Sequence, residues 1–365
     1  MRIAYVINSL EGGGAAAPVP AVTRVLRAQG AEVEVFALLR RDGRALAAIE
    51  ADGLTVHVRD GQEKDHAAAL AWLDRSLAAF KPDLVWTSLT RATLLGQLVG
   101  LRRRLPVVSW QHAAFLKPAN KVLLRATQSL SQLWIGDSDN VTRLTAERLG
   151  VPAERLTTWP LFAAKGEAPT ARPWTPGQTI ELGSLGRLHR VKGYDVLVEA
   201  LASLKAAGFA PPAPFCFRIA GDGAQREALT AQIAAAGLDN VELVGFQPQP
   251  RAFLASLHAY VQPSRSEGLC IAAHEAMEAG LPVIASSVGE MPFTVLDQRT
   301  GYVVPPGDAG ALADALRKLL AAPERLADLG EASRARVLER FGADAFARTG
   351  AAIYARLPLG PDNRR

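Results

Sequence analysis

The chain has 365 residues, a length that is large for one domain and typical of two. Its 49% hydrophobic and 21% charged residues are ordinary for a folded globular protein, and its two cysteines, Cys216 and Cys270, exclude a disulfide framework. The net charge of +5 is modest, so no nucleic-acid partner is expected, and no apolar run is long enough for a signal or a membrane span, which predicts a cytoplasmic protein.

The first half of the chain alternates strand-like apolar runs with helical segments, which is the pattern of parallel βαβ units. Strands are predicted at residues 2–7, 33–38, 54–58, 83–87, 106–110 and 132–136. Helices are predicted at residues 21–29, 66–80, 90–103 and 140–149. Residues 163–178 are rich in Pro, Ala, Gly and Thr and lack periodicity, so they are predicted to be a linker.

The second half repeats the alternation. Its strands are predicted at 179–185, 215–220, 241–244, 259–262, 282–285 and 301–304, with helices at 194–207, 224–236, 269–279, 309–320, 323–341 and 343–357. A polar tail follows at 358–365. We therefore predict an α/β protein with two doubly wound Rossmann-like domains, at 1–162 and 179–340, that face a central cleft. A C-terminal helix at 341–357 is expected to pack back on the first domain.

Two glutamates, Glu267 and Glu275, are the most informative residues of the second half. Glu267 lies in the loop after the strand at 259–262, and open α/β sheets bind ligands at the carboxyl ends of their strands. Glu275 lies about 1.5 turns into the following helix, roughly 9 Å along its axis. Between them, the amides of residues 268–271 are placed to bind an anion such as a phosphate. This combination describes a site for a nucleotide sugar.

A second segment supplies positive charge. Arg187 and Lys192 belong to the loop that follows the strand at 179–185 and leads into a helix. An arginine fork and a lysine point charge suit a diphosphate, and they would stabilise the negative charge that develops as a sugar–phosphate bond breaks. By itself this segment would be interpreted as a solvated basic loop, so the diphosphate assignment depends on the glutamate segment.

Together these segments resemble the retaining GT-B glycosyltransferases of family four. The motifs that carry the resemblance cover most of residues 180–320 in the order of that family: Gly186-Arg187-Leu188, Lys192-Gly193, Gly221-Asp222-Gly223, Gly245-Phe246, Glu267-Gly268, Glu275-Ala276-Met277 and Gly301-Tyr302-Val303. In the first half the resemblance is carried by Gly12-Gly13-Gly14 and by His112, which follow the first and fifth strands.

The resemblance implies a role for each matching residue. It implies that Arg187 and Lys192 hold the donor diphosphate, that Glu275 binds the ribose hydroxyls, and that Glu267 contacts the transferred sugar. His112 is expected beside the reacting carbon, so the implied catalytic residues are Glu267, His112, Arg187 and Lys192. The implied donor-binding set also includes Gly13, Gly14, Gly268, Leu269, Cys270 and Ile271. The nucleoside diphosphate sugar is a substrate, and neither a cofactor nor a metal is expected.

A basic stripe in the first half is a second candidate site. Lys117, Lys121 and Arg125 are spaced four apart, as on one face of a helix, and residues 1–165 hold 21 basic against 15 acidic side chains. The stripe is predicted to contact either an anionic membrane surface, at the inner face of the membrane, or the acceptor. A solvated basic face explains it equally well.

The resemblance implies a metal-independent hexosyltransferase that acts with retention. Its donor is expected to be UDP- or GDP-linked, its acceptor a carbohydrate or a lipid-linked sugar, and its pathway the synthesis of cell-envelope polysaccharide, lipopolysaccharide or glycolipid. Two alternatives remain: a nucleotide-sugar epimerase of the GT-B fold, and a nucleotide-sugar-binding protein that has lost catalysis. Incubation with the donor alone separates them, because an epimerase interconverts donors without an acceptor.

Overall fold

The computed structural model describes residues 1–12, 15–112 and 116–357. The chain divides into two compact units. The first comprises Met1–Ala163 together with the chain from Asp344 onward, and the second comprises Ala164–Ala343. No helix among the described residues is both long and apolar enough to cross a membrane.

The first unit is built on a sheet of seven parallel strands in the order β3-β2-β1-β4-β5-β6-β7. The strands are β1 (Arg2–Ile7), β2 (Glu32–Ala37), β3 (Val56–Val58), β4 (Leu84–Ser88), β5 (Val107–Gln111), β6 (Leu133–Gly136) and β7 (Leu156–Thr158). Its helices are α1 (Val19–Ala28), α2 (Leu46–Ala51), α3 (His66–Phe80), α4 (Thr90–Arg103), α5 (Pro118–Thr127) and α6 (Asp139–Leu149). Strands β1, β4, β5 and β6 are almost wholly buried, which is why they read as continuous apolar runs.

Aromatic packing ties the end of the chain to the first unit. Trp86, Trp110 and Trp159 are fully buried, and the rings of Trp110 and Trp159 stack with centroids 5.0 Å apart. Trp159 Nε1 donates to the carbonyl of Phe346 at 3.1 Å, and the two rings lie 5.1 Å apart. Each such aromatic pair stabilises by about 0.5–1.5 kcal/mol beyond its buried area. Helix α14 (Ala343–Ala355) is therefore anchored beside β7 and not at the end of the second unit.

The second unit has a sheet of six parallel strands in the order β10-β9-β8-β11-β12-β13. Its strands are β8 (Ile180–Leu185), β9 (Phe215–Ala220), β10 (Val241–Gly245), β11 (Ala259–Gln262), β12 (Val283–Ser286) and β13 (Gly301–Val304). Its helices are α7 (Tyr194–Ala206), α8 (Arg226–Ala235), α9 (Pro250–Ala255), α10 (Ile271–Glu278), α11 (Met291–Thr294), α12 (Ala309–Ala321) and α13 (Leu326–Phe341).

The strand order reverses once in each unit. The reversal lies between β1 and β4 in the first unit and between β8 and β11 in the second. Such a switch point leaves a crevice at the carboxyl ends of the two strands, because the connections that follow them run to opposite sides of the sheet. The loops that follow these four strands are therefore the places where each unit can hold a ligand.

The predicted linker residues are bound to the second unit. The amide of Lys165 donates to the buried carboxylate of Glu278 at 2.5 Å, and the amide of Ala171 donates to the carbonyl of Ala279 at 2.8 Å. The backbone groups of this segment pair with a side chain and a loop carbonyl and not within a helix or a sheet. The segment therefore has no hydrophobic periodicity that the sequence could reveal.

Several further elements differ from the sequence prediction, among them the short helices α2, α9 and α11, which were not predicted. The spacing of Lys121 and Arg125 predicted a helical face in α5, but the bounds of this helix were not predicted, because it exposes most of its surface and buries only Leu124. Strand β7 is three half-buried residues at the edge of the sheet, too short for an alternating pattern to be visible.

Candidate functional site

Glu267 lies at the switch point of the second unit, in the loop after β11. Its Oε1 atom accepts three hydrogen bonds: from Lys192 Nζ at 2.7 Å, from Ser264 Oγ at 2.6 Å and from Gln262 Nε2 at 3.2 Å. The side chain is only 11% exposed. Gln262 and Ser264 are buried, so they hold the carboxylate in one orientation.

Lys192 approaches the same point from the other strand of the switch point, in the loop after β8. Burial is the largest single influence and works against the charged form of Lys192. The charge and hydrogen bond of Glu267 and the electrostatic effect of Cys270 together outweigh it, so the pKa of Lys192 is raised above its ordinary value. Lys192 is therefore an ammonium at neutral pH. Arg187 lies on the same loop, is exposed, and is close enough for its charge to act on Lys192.

The two loops are packed backbone to backbone. Gly193 ends the β8 loop with φ +68, and a Cβ atom at this position would overlap the carbonyl oxygen of Pro263 in the β11 loop. Only glycine fits this contact. The Lys192-Gly193 pair seen in the sequence thus has two functions: the lysine supplies charge, and the glycine lets its loop reach Glu267.

Helix α10 begins at Ile271, two residues later than predicted. Cys270 precedes it in the left-handed conformation, with φ +66 and ψ 68, and no side chain caps the helix. A non-glycine residue is strained there, by about 1 kcal/mol or more. The carbonyl of Gly268 accepts from the amide of Glu290 at 3.0 Å, which fixes the loop in front of the helix. The predicted donor-binding residues Gly268, Leu269, Cys270 and Ile271 thus form the uncapped entry to α10.

Glu275 and Glu278 lie on α10 and have different surroundings. Glu278 is fully buried and accepts from Arg251 Nε at 3.0 Å, so it ties α9 to α10. Glu275 is 18% exposed, and its nearest cation, Arg251, is 3.7 Å away. Burial raises the pKa of Glu275, and the Arg251 charge only partly opposes this. Glu275 is thus a buried carboxylate without a strong partner, as a hydroxyl-binding group requires.

His274, on the same helix, has a structural role. It is fully buried, and its Nδ1 lies 2.9 Å from the carbonyl oxygen of Cys270. Burial lowers the pKa of His274 to about 4, so the imidazole is neutral.

In the first unit, His112 follows β5 and is surrounded by polar groups from the neighbouring strands. Its Nε2 lies 2.6 Å from Ser88 Oγ at the end of β4, and its Nδ1 lies 3.9 Å from Asp137 Oδ2 just after β6. Burial lowers the pKa of His112 to about 3, so the ring is neutral at neutral pH. Ser88 and Asp137 were not selected from the sequence. Their only signal was their position at the ends of strands adjacent to β5.

Three further groups of predicted site residues have different outcomes. Gly13 and Gly14 lie outside the described residues. Lys117 is the residue before α5, whereas Lys121 and Arg125 are on the helix, and all three are exposed. Within residues 1–12, 15–112 and 116–357, no three His, Cys, Asp or Glu side chains gather as metal ligands would.

Family profiles match both units. The profile described as Glycosyltransferase Family 4 matches residues 12–162, and the profile described as Glycosyl transferases group 1 matches residues 173–336. The chain is 31% identical to the 2-deoxystreptamine N-acetyl-D-glucosaminyltransferase of Streptomyces fradiae over 66% of its length and 58% of that protein's. It is 27% identical to the D-inositol 3-phosphate glycosyltransferase of Arthrobacter sp. strain FB24, over 89% and 86% of the two chains. The chain spans about half the length of several other curated relatives.

The fold is shared with a solved structure over nearly the whole chain. The structure of HepE from Anabaena, in complex with UDP-glucose, superposes with a TM-score of 0.83 and 21% identity, over 98% of this chain and all of the other. Both profiles describe glycosyltransferases, and each of them matches one of the two parallel-sheet units. The chain belongs to the GT-B glycosyltransferases of family four.

Proposed function

We propose that this protein transfers a hexose from a nucleoside diphosphate sugar to an acceptor hydroxyl, with retention and without a metal, in the synthesis of a cell-envelope glycan. The observation that carries the proposal is the Lys192–Glu267 pair at the β8–β11 switch point. It puts a buried ammonium and an oriented carboxylate at the crevice where a doubly wound unit binds its ligand. The UDP-glucose bound in HepE supports a UDP-linked donor.

Each group of this site has a step to perform. Lys192 and Arg187 neutralise the diphosphate as the bond between the anomeric carbon and the phosphate oxygen breaks. The acceptor oxygen bonds to the same face of that carbon, and its proton passes to the departing diphosphate. Glu267, held by Ser264 and Gln262, accepts hydrogen bonds from the hydroxyls of the transferred sugar. Glu275 accepts from the ribose diol.

The donor is identified first by thermal shift, with UDP, GDP and their glucose, N-acetylglucosamine and mannose derivatives. A ligand of the folded state raises Tm in proportion to the logarithm of its concentration over Kd. The active donor is then followed by release of its nucleoside diphosphate with and without acceptors. Interconversion of donor sugars without an acceptor would favour the epimerase, and binding without turnover would favour the non-catalytic protein.

Two variants test the roles within the site. We expect Lys192→Ala to lower kcat/KM about 100-fold, because it removes charge stabilisation of the leaving group. Glu267→Gln is expected to lower kcat by a similar factor while UDP binds nearly as in the wild type. Lys318→Ala replaces an exposed lysine on α12 and is the control, which should change neither kcat nor kcat/KM.

The assignment is wrong if both variants transfer at the wild-type rate. Metal independence is wrong if EDTA abolishes transfer and Mg²⁺ restores it.

We also propose that an exposed face of α4 and α5 docks on an anionic membrane. The face is defined by Leu101, Val122 and Leu123, which are 63%, 67% and 50% exposed, and by Lys121 and Arg125. The two helices are in contact. On α5 the exposed apolar residues Val122 and Leu123 follow Lys121 directly in the sequence, and interfacial helices likewise expose both apolar and basic groups. Such a surface would bring a lipid-linked acceptor to the enzyme.

Vesicle sedimentation tests this surface. We expect the wild-type protein to bind vesicles that contain phosphatidylglycerol and to bind vesicles of phosphatidylcholine alone more weakly. The double variant Val122→Ser/Leu123→Ser should bind neither kind of vesicle. Lys121→Glu/Arg125→Glu should lose only the anionic preference. The control Lys64→Glu/Arg75→Glu makes the same charge change elsewhere on the unit. If it weakens binding equally, the effect is one of net charge and the face has no special role.

A further inference from the structure

Three polar side chains form a line along β11 that ends at Glu267. Tyr260 and Gln262 belong to this strand and Ser264 follows it, so they are spaced two residues apart and lie on the same face. All three residues are buried, with at most 1% of their surface exposed. Gln262 and Ser264 contact Glu267, and Tyr260 contacts Gln262. Buried polar groups are costly unless each finds a partner, so the bonds within this line determine how it is arranged.

The direction of each hydrogen bond in the line follows from Glu267. This residue is paired with the Lys192 ammonium and, as a carboxylate, can only accept. The Ser264 hydroxyl, 2.6 Å from Glu267 Oε1, must therefore donate its proton to it. Ser264 Oγ is then the acceptor for Gln262 Nε2 at 2.8 Å, and the same amide donates to Glu267 at 3.2 Å. The amide of Gln262 thus turns its nitrogen towards Glu267 and its oxygen away from it.

Tyr260 completes the line at the amide oxygen of Gln262. Its hydroxyl donates to Gln262 Oε1 at 2.7 Å, and the carbonyl of Leu185 is a more distant acceptor at 3.1 Å. Burial raises the pKa of Tyr260 well above its ordinary value of 10, so the phenol keeps the proton that it donates. The same hydroxyl accepts from the amide of Leu185, the last residue of β8, at 3.2 Å. The phenol is therefore held between the two strands of the switch point.

We infer that Tyr260 is a positioning residue for Glu267 and that it acts by fixing the amide of Gln262. The inference rests on the proposed function for the role of Glu267 towards the transferred sugar. The hydrogen bonds described above all go to Glu267 Oε1, so they also set the direction in which Oε2 points.

The consequence of losing the phenol hydroxyl follows from the symmetry of an amide. Without this hydroxyl, Gln262 Oε1 would be a buried acceptor that has lost its donor, which is unfavourable. The two ends of the amide are similar in shape, so the group could turn over and place its oxygen towards Ser264 Oγ and the Glu267 carboxylate. Two acceptors that face each other repel, and the carboxylate would lose its orientation.

The kinetics of Tyr260→Phe test the inference, because this variant removes one hydroxyl and keeps the buried ring. We expect kcat for transfer to fall about tenfold, the effect of about one hydrogen bond. UDP should bind nearly as in the wild type, since UDP lacks the sugar that Glu267 contacts. Tyr194→Phe is the matched control. Tyr194 begins α7 in the same unit, is 2% exposed, and its hydroxyl has no hydrogen-bond partner in the described part of the chain, so kcat should not change.

A second variant separates positioning from packing. Gln262→Leu breaks the line at its centre, so Tyr260 can no longer act on Glu267. Adding Tyr260→Phe to Gln262→Leu should therefore leave kcat unchanged, although the same change lowers kcat in the wild type. A role of Tyr260 in packing alone predicts that it lowers kcat by the same factor in both backgrounds.

Measurements of Tm test the line without any reaction. Among the described residues, no hydrogen bond joins Tyr260 to Glu267, so changes at the two positions should be additive unless Gln262 couples them. Scanning calorimetry of Tyr260→Phe, Glu267→Gln and the double variant completes this cycle. We expect the double variant to lose less Tm than the sum of the single losses, because the amide no longer supports the carboxylate once the phenol hydroxyl is gone. The pair Tyr194→Phe and Glu267→Gln should be additive.

The inference is overturned if Tyr260→Phe transfers at the wild-type rate while Glu267→Gln does not, or if the Tm losses of Tyr260→Phe and Glu267→Gln are additive. A failure of the proposed function has a different appearance, since the wild type itself would then transfer from no donor. In that case the Tm cycle alone decides whether Tyr260 positions Glu267.

Discussion

Glu275 shows at the scale of one residue how a group that we propose to bind the ribose can oppose stability. Its carboxylate is largely buried, and the charge of Arg251 at 3.7 Å only partly offsets the cost of burial, so the folded state favours the protonated form and the pKa is raised. A raised carboxyl pKa contributes stability at acid pH that is lost as pH rises from the ordinary value of 4.5 through the folded value. At neutral pH the ionised Glu275 therefore costs stability.

We predict that Glu275→Gln raises Tm at pH 7 and weakens UDP binding by about 10- to 100-fold, the effect of losing hydrogen bonds to a charged group. Scanning fluorimetry at pH 4 and pH 7 and calorimetric titration with UDP measure the two effects. The gain in Tm should be smaller at pH 4. Glu278→Gln is the contrasting variant: it breaks the buried contact with Arg251 and should lower Tm. A less stable Glu275→Gln at pH 7 with unchanged UDP affinity would contradict this assignment.

At the scale of elements, the proposed donor site depends on loops that touch through their backbones. Gly289, between β12 and α11, has φ +59, and a Cβ atom there would overlap the carbonyl oxygen of Gly268. The same carbonyl accepts from the Glu290 amide. The loop that holds Glu267 is thus positioned partly by a glycine in the next βα connection.

Gly289→Ala should therefore displace the Glu267 loop. Gly307 is a matched control, because its φ is +77 but a Cβ atom there has nothing within 4 Å. We expect Gly307→Ala to cost about 1 kcal/mol for the left-handed backbone alone. Gly289→Ala should cost about 1–3 kcal/mol more and weaken UDP binding, because the added methyl group must push the loop away. Chemical denaturation and UDP titration of the two variants test this. Equal losses in both would show that the contact with Gly268 is unimportant.

At the scale of the whole molecule, each unit contains a histidine whose pKa is strongly lowered by burial. Burial lowers the pKa of His112 in the first unit to about 3 and of His274 in the second to about 4, whereas both are 6.5 in the unfolded chain. The unfolded chain thus binds more protons below pH 6.5. Stability falls as pH drops from 6.5 towards these values, by up to about 1.4 kcal/mol per pH unit for each histidine.

We predict that both units lose stability between pH 6.5 and pH 4.5, seen by calorimetry as a falling Tm. His112→Asn should flatten the pH dependence of the first unit and leave that of the second unchanged. If the wild-type and His112→Asn curves run parallel through this range, His112 is not the group responsible.

Most of the fold can be predicted from the sequence, because strand and helix periodicity is local. The strands at Phe215–Ala220, Ala259–Gln262 and Gly301–Val304 begin and end at the predicted residues. The bounds of α5 could not be predicted, because a helix that buries only Leu124 has no apolar stripe, and only the spacing of its basic residues indicated a helix. Helix α10 begins later than predicted because Cys270, the residue before it, has a left-handed backbone. That conformation is set by the surrounding loops and not by the preference of cysteine itself.

For the candidate site too, some features could be predicted from the sequence and others could not. The sequence by itself determined which chemical groups are present and at which strand ends they lie. Motifs and periodicity are properties of neighbouring residues, so the sequence was enough to name Glu267, Glu275, Lys192 and His112. Only the tertiary structure decided which of them meet. Lys192 lies 2.7 Å from Glu267, and His112 has Ser88 and Asp137 as neighbours. A cavity at the carboxyl ends of β4 and β5 is lined by residues from the starts of α4 and α5. All of these groupings join residues that are far apart in the chain. Such contacts depend on strand order and on loop packing, and neither leaves a local pattern.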